Sequence, residues 1–255
     1  VILRTEDVHS RLHNIIYING IPSIRLLQKF ININKFDNRD VAYHNRYISA
    51  NPNLIQIINM DKSQYKTIKI FYTLLLTGFK VHRHSIFGIE MDVEVDGVIV
   101  NKIRYKVAPN PKAAIEDSQL KEYDTNETEV RSFPSMADIH KLLIQDLKKL
   151  VDNFDRKDKI YLIGFKNAGC DDLFLRAWFE QNGDTFFGSW FWHNSIDTSV
   201  LATQYLLDRR RDMHSFKMEA VAKELGLVTD GLFYESIPAT IRQIYRITTG
   251  LDEEI

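Results

Sequence analysis

Tyr161-Leu-Ile-Gly-Phe-Lys-Asn-Ala-Gly-Cys-Asp-Asp-Leu-Phe-Leu175 reads as a buried apolar strand, a short polar turn and the first turn of a helix, in immediate succession. Working outward, Ser195-Ile-Asp-Thr-Ser-Val-Leu-Ala202 predicts the end of a strand and an Asp-Thr turn that opens a second helix. Phe216-Lys-Met-Glu-Ala-Val-Ala-Lys-Glu-Leu-Gly-Leu227 predicts a third helix, led by a lysine and closed by Gly226. Upstream, Ile68-Lys-Ile-Phe-Tyr-Thr-Leu-Leu-Leu-Thr-Gly-Phe79 is an apolar strand running into a Thr-Gly turn.

Phe87 to Gly97 alternates, with Ile89, Met91, Val93 and Val95 on one face and Glu90, Asp92 and Glu94 on the other. This predicts a half-buried strand whose acidic side faces water. Val98 to Ala108 gives a third strand, stopped by Pro109-Asn-Pro111, and Lys112 to Val130 is a polar connection with few structural signals. Ser135 to Phe154 predicts a helix with Ile139, Leu142, Leu143, Leu147 and Leu150 on one stripe and Lys141, Lys148 and Lys149 outside. Asp158 to Phe165 adds the buried strand of the opening stretch. The expected architecture is α/β, a mixed sheet flanked by helices on both faces.

Together these segments resemble the DEDD exonuclease superfamily, in its DEDDh form typified by the epsilon proofreading subunit of bacterial DNA polymerase III. The resemblance covers roughly residues 65 to 248. Asn167 and Asp171 stand where the family has its second-motif Asn and metal-ligating Asp, with Phe174 and Leu175 as the apolar pair that seats the next helix. Lys166 replaces a frequent His, and Cys170 replaces an aromatic residue. The resemblance implies a ribonuclease H-like fold and metal-dependent 3′-to-5′ exonuclease chemistry.

The same alignment puts non-catalytic residues at four positions that carry the chemistry. Thr77-Gly78-Phe79 fits the turn after the first motif, which places Thr73 and Leu75 at its two acidic positions. Aligning Ile241-Arg-Gln-Ile-Tyr245 with the family's last helix end places Leu232 at the His and Ile237 at the last Asp. A slip of one residue gives Phe233 and Pro238, still neither acid nor base. Two divalent cations about 3.5–4 Å apart need several carboxylates to balance their charge, and the attacking water needs a general base. Asp171 alone does not supply these, so no cofactor is expected. Mg or Mn would enter only if acids from other positions stood in. Glu90, Asp92 and Glu94 read as a solvated strand face, and Asp230 and Glu235 as loop acids.

With a formal charge of −1, the chain has no global attraction to polyanions, and any nucleic-acid contact must be local. The candidates are Lys80, Arg83, Lys166 and Asn167 around the site mouth, and Arg209-Arg-Arg211 with Trp190 and Trp192 in a preceding strand, Ser189 to His193. The plainer reading makes the Arg run a solvated helix terminus and the tryptophans core residues. His82-Arg83-His84 reads as a polar hairpin, and no His or Cys has zinc-ligand spacing. The single Cys170 cannot form an internal disulfide and reads as a small buried thiol; a reducing, intracellular location fits. No apolar run has the length of a membrane span, and the start does not resemble a signal peptide.

Residues 1–64 fall outside the resemblance. Asp7 to Phe30 is helix-like with a break at Gly20-Ile-Pro22, Asn32 to Asn53 suggests turns and short helices, and Leu54 to Met60 looks like a strand. They read as an N-terminal cap or partner-binding extension on an exonuclease-like domain of residues 65–255. Three functions are compatible with the sequence. The first is a catalytically degenerate exonuclease-like domain that binds nucleic acid or a protein partner, in a viral or phage replication or transcription assembly if the Asn, Ile and Lys richness reflects an AT-rich genome. The second is an active 3′-to-5′ exonuclease with unusual ligands, and the third a purely structural subunit.

Overall fold

A computed structural model describes residues 66–227 and 237–251. The expectations for residues 1–64, and for Asp230, Leu232 and Glu235, fall outside the described residues, as does the domain boundary at 64/65.

The described residues form a five-stranded mixed sheet in the order β3-β2-β1-β4-β5. Its strands are β1 (Ile68–Leu76), β2 (Ile86–Val95), β3 (Val98–Lys106), β4 (Tyr161–Gly164) and β5 (Ile196–Asp197). The first three form antiparallel pairs, while β4 lies parallel to β1, and β5 parallel to β4. A two-residue turn joins β2 to β3. Asp96 (φ 49°) and Gly97 (φ 88°) both adopt the left-handed backbone that such a turn requires.

The helices, in chain order, are α1 (Asp117–Lys121), α2 (Glu127–Arg131), α3 (Met136–Lys148), α4 (Asp171–Gln181), α5 (Phe187–Trp190), α6 (Thr198–Tyr205), α7 (Met218–Glu224) and α8 (Ile237–Thr248). Strand alternation sends Ile68, Ile70, Tyr72 and Leu74 to one sheet face, where Ile139, Leu143 and Leu147 of α3 and Phe174, Leu175 and Trp178 of α4 cover them. Phe71 and Ile163 point the other way and pack on Ile241 of α8. Both faces are therefore covered, as the continuous apolar run in β4 implies.

Several details depart from the sequence reading. The helix expected over Ser135 to Phe154 stops at Lys148, because Asp152 and Asp158 accept backbone amides and fold the following residues into a loop. Leu142 is 43% exposed and not part of its buried stripe. The polar connection contains α1 and α2, whose Leu120 and Val130 close an apolar cluster with Leu75 and Phe87. Ser189 and Trp190 belong to the end of α5 rather than to a strand, and only Phe191 makes a bridge, with Ile160. The last helix runs to Thr248, beyond the expected end at Tyr245.

The largest departure is the acidic side of β2, which does not face water. Glu90, Asp92 and Glu94 are 5%, 2% and 2% exposed. Arg104, the cross-strand neighbour of Glu90 on β3, bridges Glu90 and Asp92. Lys69 and Arg242 hold Glu94 at 2.9 and 2.7 Å. Although burial raises the Glu94 carboxyl, the hydrogen bonds from these two cations bring it below the usual carboxylate range. Arg242 also donates to the Gly97 carbonyl at 2.9 Å, so this ion network ties α8 to the end of β2.

Candidate functional site

β4 ends at Gly164, and the chain turns through a single 3-10 turn, Asn167–Gly169, into α4. Lys166 takes a left-handed backbone (φ 57°) at the turn, and its amide donates to Asp197 at 2.9 Å. A Cβ on Gly164 would lie 2.5 Å from that of Asn167, so glycine is what lets Asn167 fold back against the strand end. Asp197 caps α6, accepting from the amide and hydroxyl of Ser199 at 2.9 and 2.7 Å.

This packing gathers Asp171, Asp172, Asn167, Ser195 and Tyr72 at one end of the sheet. Asp172 accepts hydrogen bonds from the hydroxyls of Tyr72 and Ser195 and from the Asn167 amide, 3.3 Å away. Asn167 also donates to the Ser195 hydroxyl at 2.9 Å. Burial, together with the neighbouring Asp172 and Asp171, pushes the Tyr72 hydroxyl well above its ordinary range, so it remains a donor at neutral pH. Asp171 faces the backbone amide of Leu74 in β1. Burial raises its carboxyl to about 7, with Asp172 and Asp197 adding repulsion that the Leu74 amide only partly offsets.

Asp172, Tyr72 and Ser195 were not distinguished by the sequence reading. The tandem Asp171-Asp172 was the visible signal, but strand parity puts Tyr72 on the opposite face from Thr73 and Leu75. Asp172→Ala leaves the Tyr72 and Ser195 hydroxyls without this acceptor, while Asn167 keeps Ser195, and is expected to cost about 2 kcal/mol, read as a lower urea midpoint. Tyr72→Phe, which removes one donor, should cost less than half of that.

Thr73 is half-buried and lies directly across from Glu90. Leu75 lies across from Gly88 and is buried against Phe87, Leu120 and Val130. Ile237, half-buried, opens α8 and packs with Phe71 and Ile163. Each of these three side chains has a place in the packing. Among the described residues, no group of three His, Cys, Asp or Glu side chains is placed to hold a metal ion.

The proposed nucleic-acid contacts separate into groups. Lys80, Arg83 and Lys166 are exposed, the first two in the loop that follows β1 and Lys166 in the turn before α4. Asn167 is fully buried and committed to Asp172 and Ser195, so it is a structural residue rather than a contact to nucleic acid. His84 is likewise buried: its Nδ1 accepts the Lys80 amide at 3.0 Å, and its Nε2 lies 3.1 Å from Glu116. Arg209 to Arg211 lie beyond the far end of α6, about 12 Å of helix from the turn. There Arg209 pairs with Glu224 at 3.4 Å, and Arg210 stacks over Phe216 at 4.8 Å. Trp190 is buried. Cys170 is half-buried, and burial beside Asp171 raises its thiol to about 11, which makes it unreactive as a nucleophile. No described helix is long and apolar enough to cross a membrane.

No family model and no curated protein matches the sequence. The fold, in contrast, is similar to solved structures of exonuclease I. The product-bound enzyme superposes with a TM-score of 0.57 at 13% identity, over 73% of this chain and 45% of that one. The zinc-bound E. coli enzyme in complex with single-stranded DNA gives 0.57 at 14% identity, over 72% and 41%. The E. coli enzyme with a dT13 oligonucleotide gives 0.56 at 14% identity, over 72% and 41%. The likeness spans less than half of exonuclease I. The mixed sheet with its flanking helices is the ribonuclease H-like exonuclease fold.

Proposed function

We propose that residues 65–255 are a catalytically degenerate member of the DEDD exonuclease superfamily that binds single-stranded nucleic acid without cleaving it, within a replication or transcription assembly of viral or phage type. The observation that carries this reading is the set of side chains at the aligned positions: Leu75 and Ile237 are packing residues, and among the described residues no three acids, His or Cys converge beside Asp171. A pair of divalent cations needs several carboxylates to balance its charge. Support for nucleic acid as the ligand comes from the fold, which exonuclease I uses in complexes with single-stranded DNA, and from exposed Lys80, Arg83 and Lys166. A protein partner engaged through residues 1–64 is compatible with the same reading.

The test is a labelled oligo(dT) incubated with the full chain and Mg or Mn, followed by a binding titration at two salt concentrations. No shortening of the oligonucleotide is expected at either metal. If the three cations each meet a phosphate, the single-strand salt slope is about −2, and affinity falls about twentyfold between 50 and 200 mM salt. Metal-dependent shortening that disappears in Asp171→Ala would establish the active exonuclease instead. No binding to DNA or RNA at low salt would leave the structural subunit.

A further inference from the structure

Of the three tryptophans, Trp178 and Trp190 are 2% and 4% exposed, whereas Trp192 is half-buried. Its position follows from the backbone. The Trp192 amide donates to the Ile160 carbonyl at 3.0 Å, and Ile160 bridges Phe191 in parallel, so Ile160 and Phe191 enter the core together. The next residue on each segment, Tyr161 and Trp192, must then face the other way. Their rings lie 5.8 Å apart with planes tilted by 33°, and Tyr161 is 37% exposed.

Lys159 completes the group, with Nζ 5.8 Å from the Trp192 ring centroid. Its ammonium donates to the Gly188 carbonyl, and among the described residues no carboxylate forms an ion pair with it. The acids of the adjoining loop are turned onto backbone amides: Asp152 accepts from Phe154, Asp155 from Lys157, and Asp158 from Asp152. Lys69, opposite Tyr161 on β1, is different, because Glu94 already neutralises it.

We propose that Tyr161, Trp192 and Lys159 form a stacking site for an unpaired base of single-stranded nucleic acid, with Lys159 turning from the ring to the adjoining phosphate. The proposal rests on the nucleic-acid reading given above and adds a contact apart from the Asp171 site. Tyr161 opens β4, whereas the turn to Asp171 follows its end, about 10 Å further along the strand. Two adjacent, partly exposed rings offer stacking surface to any base, and a cation beside them that no described carboxylate pairs with suits the phosphate. An apolar protein patch would have no use for that cation.

The experiment follows tryptophan emission and the anisotropy of a labelled dT15 oligonucleotide as the full chain and the oligonucleotide are titrated at low salt. Because Trp178 and Trp190 are buried, a base stacked on Trp192 should quench the emission, and Trp192→Phe should remove that response. Trp192→Ala and Tyr161→Ser should each weaken binding about tenfold. Lys159→Ala should reduce the salt slope by about 0.7. Tyr161→Ser changes an exposed side chain and serves if Trp192→Ala does not fold. Binding with unchanged affinity in both variants and no quenching of the parent chain would overturn the stacking site and leave the nucleic-acid reading standing. Absence of any binding by the parent chain would overturn both. Self-association of the parent chain in sedimentation, lost in Trp192→Ala while oligonucleotide affinity is unchanged, would make the patch a protein contact and also overturn the proposal.

Discussion

Asp171→Asn is expected to be more stable than the parent chain at pH 8, by about 3 kcal/mol, and to lose that advantage at pH 4. The unfolded carboxyl ionises near its ordinary value of 3.8, whereas the folded one holds its proton to about 7. Between those values the folded state binds the proton and the unfolded state does not, so raising the pH through this window removes stability. Above pH 7 the penalty is constant, and below pH 4 it is absent. Three pH units correspond to about 4 kcal/mol, and the smaller figure allows for the residual exposure of a half-buried group. Asn presents the uncharged shape at every pH, so its urea midpoint should stay flat where that of the parent falls. A parent chain that is the more stable of the two at pH 8, or whose melting temperature rises steeply with Mn, would mean that Asp171 ionises and holds a cation. The proposed degeneracy would then fail.

Arg104→Ala should be the most damaging single replacement on the other sheet face, at about 3–5 kcal/mol, a large part of the stability of an ordinary domain. Glu90 and Asp92 are both buried, and Arg104 is the cation that bridges them. Removing it takes the bridging cation from two buried acids that repel each other. The penalty comes from that repulsion and from the burial of charge rather than from losing an attractive pair. A triple replacement, Arg104→Met with Glu90→Gln and Asp92→Asn, should therefore recover most of the loss. Urea titration of the two variants decides the matter. A loss below about 1 kcal/mol for Arg104→Ala would mean that water reaches the acids, as in an exposed ion pair.

Strand parity and helix periodicity were legible wherever one side chain type recurs on one face. β1, β4 and the starts of α4, α6 and α7 fall where the sequence puts them, because an apolar run, an Asp-Thr cap and a glycine after a helix are local signals. The acidic face of β2 was legible as a pattern but not as an environment. Alternating charge looks the same whether it meets water or Arg104, Lys69 and Arg242, which come from positions up to 148 residues away. The same holds for Asn167, whose neighbourhood in sequence suggested a contact at the site mouth. Gly164 allows it to fold inward, where it meets Ser195.

The sequence by itself determined the order and type of the main elements, since these follow from spacing along the chain. Tertiary structure alone decided which charged groups are buried, that Asp172 rather than Asp171 anchors the hydrogen bonds of Tyr72, Asn167 and Ser195, and that Trp192 stays partly exposed while Trp190 is buried. Burial and electrostatic pairing depend on side chains brought together across strands and helices, and no local pattern carries that information.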